Sequence, residues 1–261
     1  MKSYGKLSSR LACLLAGIML ALSGCASTPV AVVAVHPLEQ NALNLLHRQV
    51  PANAVGHQQT HEALAAALRQ HQRFDDLQGQ WRIHQLLAQE ALHWHSAAEL
   101  LPQVEAMAAL AEQLPVKLVA YPTAIMRGHI APHGKHFDDA LAYARSPLEQ
   151  AVALAYLGRL GEAMTLLDAA ETDSPADRAF VFYQSAQQRQ DPAGYKQALV
   201  YYRLAADDRG VADCLVRLAR LAQAAGQSGD ARIYGQRAAL VLTAAGDADR
   251  AASVEAWLGR L

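Results

Sequence analysis

The chain has no surplus of charge of either sign, with 23 lysines and arginines against 24 aspartates and glutamates. It also has no basic run, so nothing in it fits a phosphate backbone, and no nucleic-acid partner is expected. Past residue 25 no hydrophobic segment approaches the roughly 18 residues a spanning helix needs. The common catalytic signatures are missing as well. There is no Gly-x-Ser-x-Gly, and no glycine-rich loop ending in Lys-Ser or Lys-Thr. His61-Glu62 is followed by Ala65, where a metalloprotease helix would carry a second histidine. The adjacent carboxylates Asp75-Asp76, Asp138-Asp139 and Asp207-Asp208 cannot act as pairs on a helix, where neighbours diverge by about 100°. They are expected as solvated ends and caps, with Asp207-Asp208 near a helix C-terminus. β-branched runs are scarce, and glycine and proline fall between segments. No catalytic residue, metal site or cofactor is expected.

What is present begins at the N-terminus. Lys2, Lys6 and Arg10 precede an apolar stretch from Leu11 to Leu22, which ends in Leu22-Ser23-Gly24-Cys25. A positive start, a short apolar run and a small-residue ending are the parts of an export signal. The ending resembles the lipobox of bacterial lipoproteins. That resemblance implies removal of residues 1–24, lipidation of Cys25 and a membrane anchor made of acyl chains. Ala26 stands where aspartate would favour retention at the inner membrane, so the resemblance implies the periplasmic face of the outer membrane. Residues 25–36 then form a tether whose run Ala31-Val32-Val33-Ala34-Val35 is apolar. Removing residues 1–24 leaves 237 residues, enough for a buried core, and a charge of about −4. Cys13 leaves with the signal, so Cys214 is the one thiol not committed to lipid. It sits in the apolar stretch Val211 to Leu221 and reads as a small buried hydrophobe.

Everything from residue 37 onward has helical periodicity. Leu38, Ala42, Leu45 and Leu46 mark a helix over 38–50, and Ala63, Leu64, Ala67 and Leu68 mark one over 58–72. Leu77, Trp81, Leu86, Leu87 and Leu92 mark another over 76–94. Ser96 with Glu99, and Ser146 with Glu149, have the spacing of capping boxes. Pro122, Gly128, Pro132 and Gly134 interrupt the pattern and place a loop over 128–135. Later helices are expected over 160–172, 175–189, 194–207, 211–225, 229–244 and 247–260. Gly226 and Gly246 sit where helix C-termini favour a left-handed residue. Short connections make neighbouring helices antiparallel, so the expected fold is all-α, a stack of helical hairpins.

A repeat emerges in the second half. Gly158-Arg-Leu-Gly-Glu-Ala163 through Leu167 and Ala170 to Pro175 is the clearest unit. Gly194-Tyr195-Lys-Gln-Ala198 through Ala205, and Gly226-Gln-Ser-Gly-Asp-Ala231 through Ala238, follow it. The alanines at 163, 198 and 231 are 35 and 33 residues apart. This resembles the tetratricopeptide repeat, a helix-turn-helix of about 34 residues, and the related Sel-like repeat. The resemblance covers residues 144–261, with 247–260 as the terminal capping helix, and implies a short right-handed superhelix. Gly235 departs from it by standing where a large residue is expected. Residues 37–143 keep the hairpin character without a fixed period, and read either as degenerate repeats or as a divergent helical cap.

Repeat geometry implies a concave surface lined by the first helix of each pair. The residues it places there are Arg145, Val152 and Tyr156, then Tyr183 and Gln187, then Asp213 and Arg220. A protein or peptide partner in the cell envelope would bind on them. The alternative reading is histidine chemistry. All eleven histidines fall between residues 36 and 136, and His129, His133 and His136 could converge around one loop. Imidazoles suit zinc, copper and nickel, which would make the chain a metal-binding lipoprotein or metalloenzyme.

Overall fold

The structure, a computed structural model, describes residues 54–94, 96–170 and 174–261. The signal segment, Cys25, the tether and the helix expected over 38–50 lie outside the described residues. Within them the chain forms twelve α-helices and no strand. In chain order these are α1 (Ala54–Arg73), α2 (Leu77–His93), α3 (Ala97–Ala111), α4 (Val116–Ile130), α5 (His136–Tyr143) and α6 (Pro147–Tyr156). They continue with α7 (Leu160–Ala169), α8 (Pro175–Arg189), α9 (Pro192–Leu204), α10 (Asp208–Ala224), α11 (Ser228–Ala245) and α12 (Ala248–Leu258). No described helix is long and apolar enough to cross a membrane.

Consecutive helices pack as a hairpin array. The hairpins are α2 with α3, α4 with α5, α6 with α7, α8 with α9 and α10 with α11, and α1 and α12 pack at their two ends, on α2 and α11. First helices also touch across units, α2 against α4 and α6 against α8. The array runs through residues 143 and 144 without a break, because α5 packs on α6. Its hairpins start at residues 77, 116, 147, 175 and 208, so unit length swings between 28 and 39 residues. The second helices cause much of this, ranging from 8 residues in α5 to 18 in α11. A fixed period is therefore invisible in the first half although the hairpins continue there.

The aligned alanines have the burial that close helix packing demands. Ala163, Ala198 and Ala231 are fully buried on the second helices of their hairpins, and so is Ala140 of α5. Four residues after Ala163, Leu167 is also fully buried. Gly235 holds the corresponding place in α11, and the bulk arrives from elsewhere. A Cβ on Gly235 would stand 2.7 Å from Leu258 and 2.8 Å from Trp257, so the glycine is what admits the terminal helix.

Local chemistry explains the turns, with some corrections. Gly158 and Gly226 both adopt φ +73° with open space around them, as left-handed helix ends require. Gly194 does not hold the matching turn. Gln190 takes the left-handed conformation there, and Asp191 caps α9 by accepting from the Ala193 and Gly194 amides at 2.9 and 3.1 Å. Gly194 lies inside α9, where a Cβ would come 2.9 Å from that of Ala186. The loop expected over 128–135 is shorter, because α4 runs through Pro122 to Ile130. Gly128 does not break α4; it is the bare spot on which the Phe137 ring packs.

Of the two capping boxes, one forms its side-chain cap. The Glu149 amide donates to Ser146 Oγ at 3.1 Å, whereas Ser96 makes no side-chain cap bond. Glu99 is drawn away to His57. Asp207 is not at a helix C-terminus. It is the N-cap of α10, accepting from the Gly210 amide at 2.8 Å, the end of a helix dipole where a carboxylate is favourable.

Candidate functional site

Helix α10 presents a polar face opposite its buried side. Asp213, Val216, Arg217 and Arg220 recur at three- and four-residue steps, which aligns them along one side of the helix. Helix α8 brings Tyr183 alongside, and α12 brings Arg250, Ser253 and Val254. Together these residues line a groove of about 300 Å³. Asp213 accepts a charge-assisted hydrogen bond from Arg250. The other end of that guanidinium lies 3.6 Å from the Asp247 carboxylate. Arg217 Nε donates to the Tyr183 hydroxyl at 3.3 Å, tying α10 to α8. Arg220 is exposed at the rim. Beyond it the groove opens into an apolar pit of about 70 Å³ over Gly235, lined by Val216, Ala219, Val254 and Trp257.

Three of the seven residues inferred from sequence meet in this groove: Tyr183, Asp213 and Arg220. The others stand apart from it. Val152 is 7 % exposed within the core of Leu148, Leu154 and Leu167, so it is closed to a partner. Tyr156 is half-buried between Phe137 and Phe180, with ring centroids 4.6 Å from each. Its hydroxyl lies 3.1 Å from His129 Nε2, and burial pushes the phenol well above its usual range. Tyr156 is thus a packing residue. Arg145 is exposed, with its backbone amide donating to Glu149 at 2.6 Å and its guanidinium 3.8 Å from the same carboxylate. Gln187 is exposed on α8, one turn beyond Tyr183 and outside the groove lining.

Sequence reasoning missed Arg217 and Arg250. The Arg217 signal was available, four residues after Asp213 on the same helical face. Nothing local points to Arg250, which reaches Asp213 across 37 residues of chain. A second and larger cleft, about 600 Å³, lies between the end of α2 and the starts of α10 and α12. His93, Trp94, Asp208, Arg209 and Arg250 are among its walls. The first hairpin therefore faces the beginning of the last one.

Described histidines make their contacts in separate places. Among the described residues, no group of three or more His, Cys, Asp or Glu side chains is placed to hold a metal ion. His71 pairs with Asp76 at 2.9 Å, and His84 contacts Gln103 at 2.8 Å. His57 is the most strongly coupled. Its Nδ1 lies 3.1 Å from Glu90, and its Nε2 lies 3.1 Å from Glu99. Trp94 also donates to Glu90, at 2.8 Å, and the His61 ring is 6.4 Å away. Both partners are acceptors when ionised, so both ring nitrogens are satisfied only in the imidazolium form. Burial opposes that charge, but the hydrogen bonds and charges of Glu90 and Glu99 outweigh it, and the His57 pKa is raised above 6.5.

A raised histidine pKa stabilises the fold fully below the unfolded value and less as pH climbs through the folded one. The attachment of α1 to α2 and α3 is therefore expected to loosen as pH rises above about 6.5. Hydrogen exchange of α1 amides across that range measures it. The His57→Gln chain should lose this pH dependence, and an identical profile in both proteins would refute the assignment.

No protein-family model matches this chain, and no curated protein matches it.

Proposed function

We propose that this chain is a lipid-anchored adaptor on the periplasmic face of a bacterial outer membrane. In this reading it captures a protein or peptide partner in the groove formed by the first helices of a tetratricopeptide-like array. The observation that carries the reading is the meeting of Tyr183 from one hairpin with Asp213 and Arg220 from the next on one polar groove. Residues chosen for their place in a repeat, with no tertiary information, end up sharing a binding-sized surface. The N-terminal sequence supplies the anchor, and the absence of catalytic motifs favours a binding role. Assembly of a secretion, pilus or polysaccharide-export apparatus and envelope biogenesis are the contexts such an adaptor fits.

The test is capture from envelope extract by the purified full-length protein, with bound polypeptides identified by mass spectrometry. Changing Tyr183→Ala, Asp213→Lys and Arg220→Glu together is expected to abolish capture while leaving the circular dichroism spectrum helical. The triple change His129→Ala, His133→Ala and His136→Ala should leave capture standing. The opposite pattern, with metal lost in the histidine variant and capture indifferent to the groove changes, would favour the metal-binding alternative instead.

A further inference from the structure

We infer that the groove between α8, α10 and α12 takes an acidic–apolar stretch of the partner polypeptide. A side-chain carboxylate sits on Arg220 and Arg217, and a neighbouring small aliphatic side chain enters the pit under Trp257. This deepens the adaptor reading and rests on it.

The charge balance of the groove carries the first half. Three guanidiniums line it, against one lining carboxylate, Asp213, and that carboxylate is committed to Arg250. Arg217 spends only its Nε, and on a neutral hydroxyl. Among the described residues, the terminal amino groups of Arg217 and the whole guanidinium of Arg220 have no hydrogen-bond or ion-pair partner. Asp213, one turn before Arg217 on the same helix, acts on it through its charge without pairing with it, and Asp247 faces Arg250 from the N-cap of α12, so among the described residues no carboxylate is paired with the Arg217–Arg220 end. Planar guanidiniums with unused donors match a carboxylate, which accepts two parallel hydrogen bonds. The chain as a whole carries a net charge of −1, so this positive end is a local feature and does not extend into a basic surface of the kind nucleic acid requires.

The apolar pit carries the second half. Val216, Arg220, Ser253 and Val254 border both the groove and the pit, so the two are contiguous. A ligand with its carboxylate on Arg220 therefore presents its adjacent side chain to Val216, Ala219, Val254 and Trp257. About 70 Å³ admits a small aliphatic group and excludes an aromatic ring. Alternating acidic and small aliphatic residues in an extended segment satisfy both subsites at once, because polar contacts fix orientation while the apolar contact adds affinity.

Fluorescence anisotropy with short labelled synthetic peptides on the full-length protein tests this. A peptide alternating glutamate and valine is expected to bind. Its glutamine–valine counterpart should bind about tenfold or more weakly, the scale of losing charge-assisted hydrogen bonds. Arg220→Glu should weaken the glutamate–valine peptide by a similar factor and improve binding of a lysine–valine peptide. Exchanging valine for serine should also weaken binding, and added salt should weaken it further. Ser253→Trp, which fills the groove from an exposed position, should block every peptide, and circular dichroism of both variants checks that they fold.

Equal binding of the glutamine–valine peptide, still blocked by Ser253→Trp, would overturn the acidic assignment and leave the adaptor groove intact. Loss of binding on amidating the peptide's C-terminus would overturn it in favour of a chain-end carboxylate. Peptide binding indifferent to both Arg220→Glu and Ser253→Trp would remove the groove reading together with this one.

Discussion

A Cys25→Ser chain is expected to take up no palmitate label and to accumulate at precursor length. The thiolate is a far stronger nucleophile than a serine hydroxyl, which stays protonated at physiological pH, so the substitution removes the group that would accept lipid while leaving the apolar segment from Leu11 to Leu22 unchanged. Each buried methylene of an acyl chain contributes about 0.8 kcal/mol to membrane binding, so the anchor and its loss are all-or-none effects. Cys214 is the control. It is fully buried, and burial together with Asp213 and Asp207 pushes its thiol up to about 12. A Cys214→Ser chain should therefore label as the parent does. Normal labelling of the Cys25→Ser chain would sink the lipoprotein proposal.

Ala163→Trp is expected to be the most damaging single change in the array. Ala163 is 0 % exposed on α7 and packs in a cluster with Leu148, Ala151 and Leu167. An indole there meets this cluster, so the two helices of the hairpin must separate or the ring must leave its rotamer. Overpacking of this kind costs about 3 kcal/mol at the upper end of its usual range. For a chain of this size that lowers the melting temperature by roughly 10 °C. Ala169→Trp, at an exposed position on the same helix, should change little. Matching melting curves for the two variants would mean that α7 presents a different face to the core.

Legibility followed the range of the interactions involved. Helix ends were readable where one side chain and one nearby amide settle the matter, as at Ser146, Gly226 and Gly246. The same signal misled where a distant group competed for it. Ser96 and Glu99 have the spacing of a capping box, but His57 on α1 takes the Glu99 carboxylate. Gly128 reads as an interruption because glycine is weak in helices, and Gly194 as the opening of a repeat unit. Each is instead a place where another element comes close, Phe137 in one case and Ala186 in the other. Gly235 looked like a defect in the repeat until the ring that fills its place was seen to arrive from α12.

The groove divides along the same line. Asp213 and Arg220 were placed together by the repeat resemblance, as residues of one unit's first helix, and Tyr183 by its place in the preceding unit. Val152 and Tyr156 were placed on the same surface by analogy of position, but their unit turns those side chains into the core and into an aromatic stack. The sequence by itself determined the all-α class, the hairpin connections and the buried alanines, because helical periodicity, caps and small-residue spacing act over a few residues. Tertiary structure alone decided which first-helix residues face one another, the Arg250–Asp213 bond and the pit under Trp257. Those depend on how successive hairpins rotate against each other, and units of 28 to 39 residues accumulate rotations that no single local pattern records.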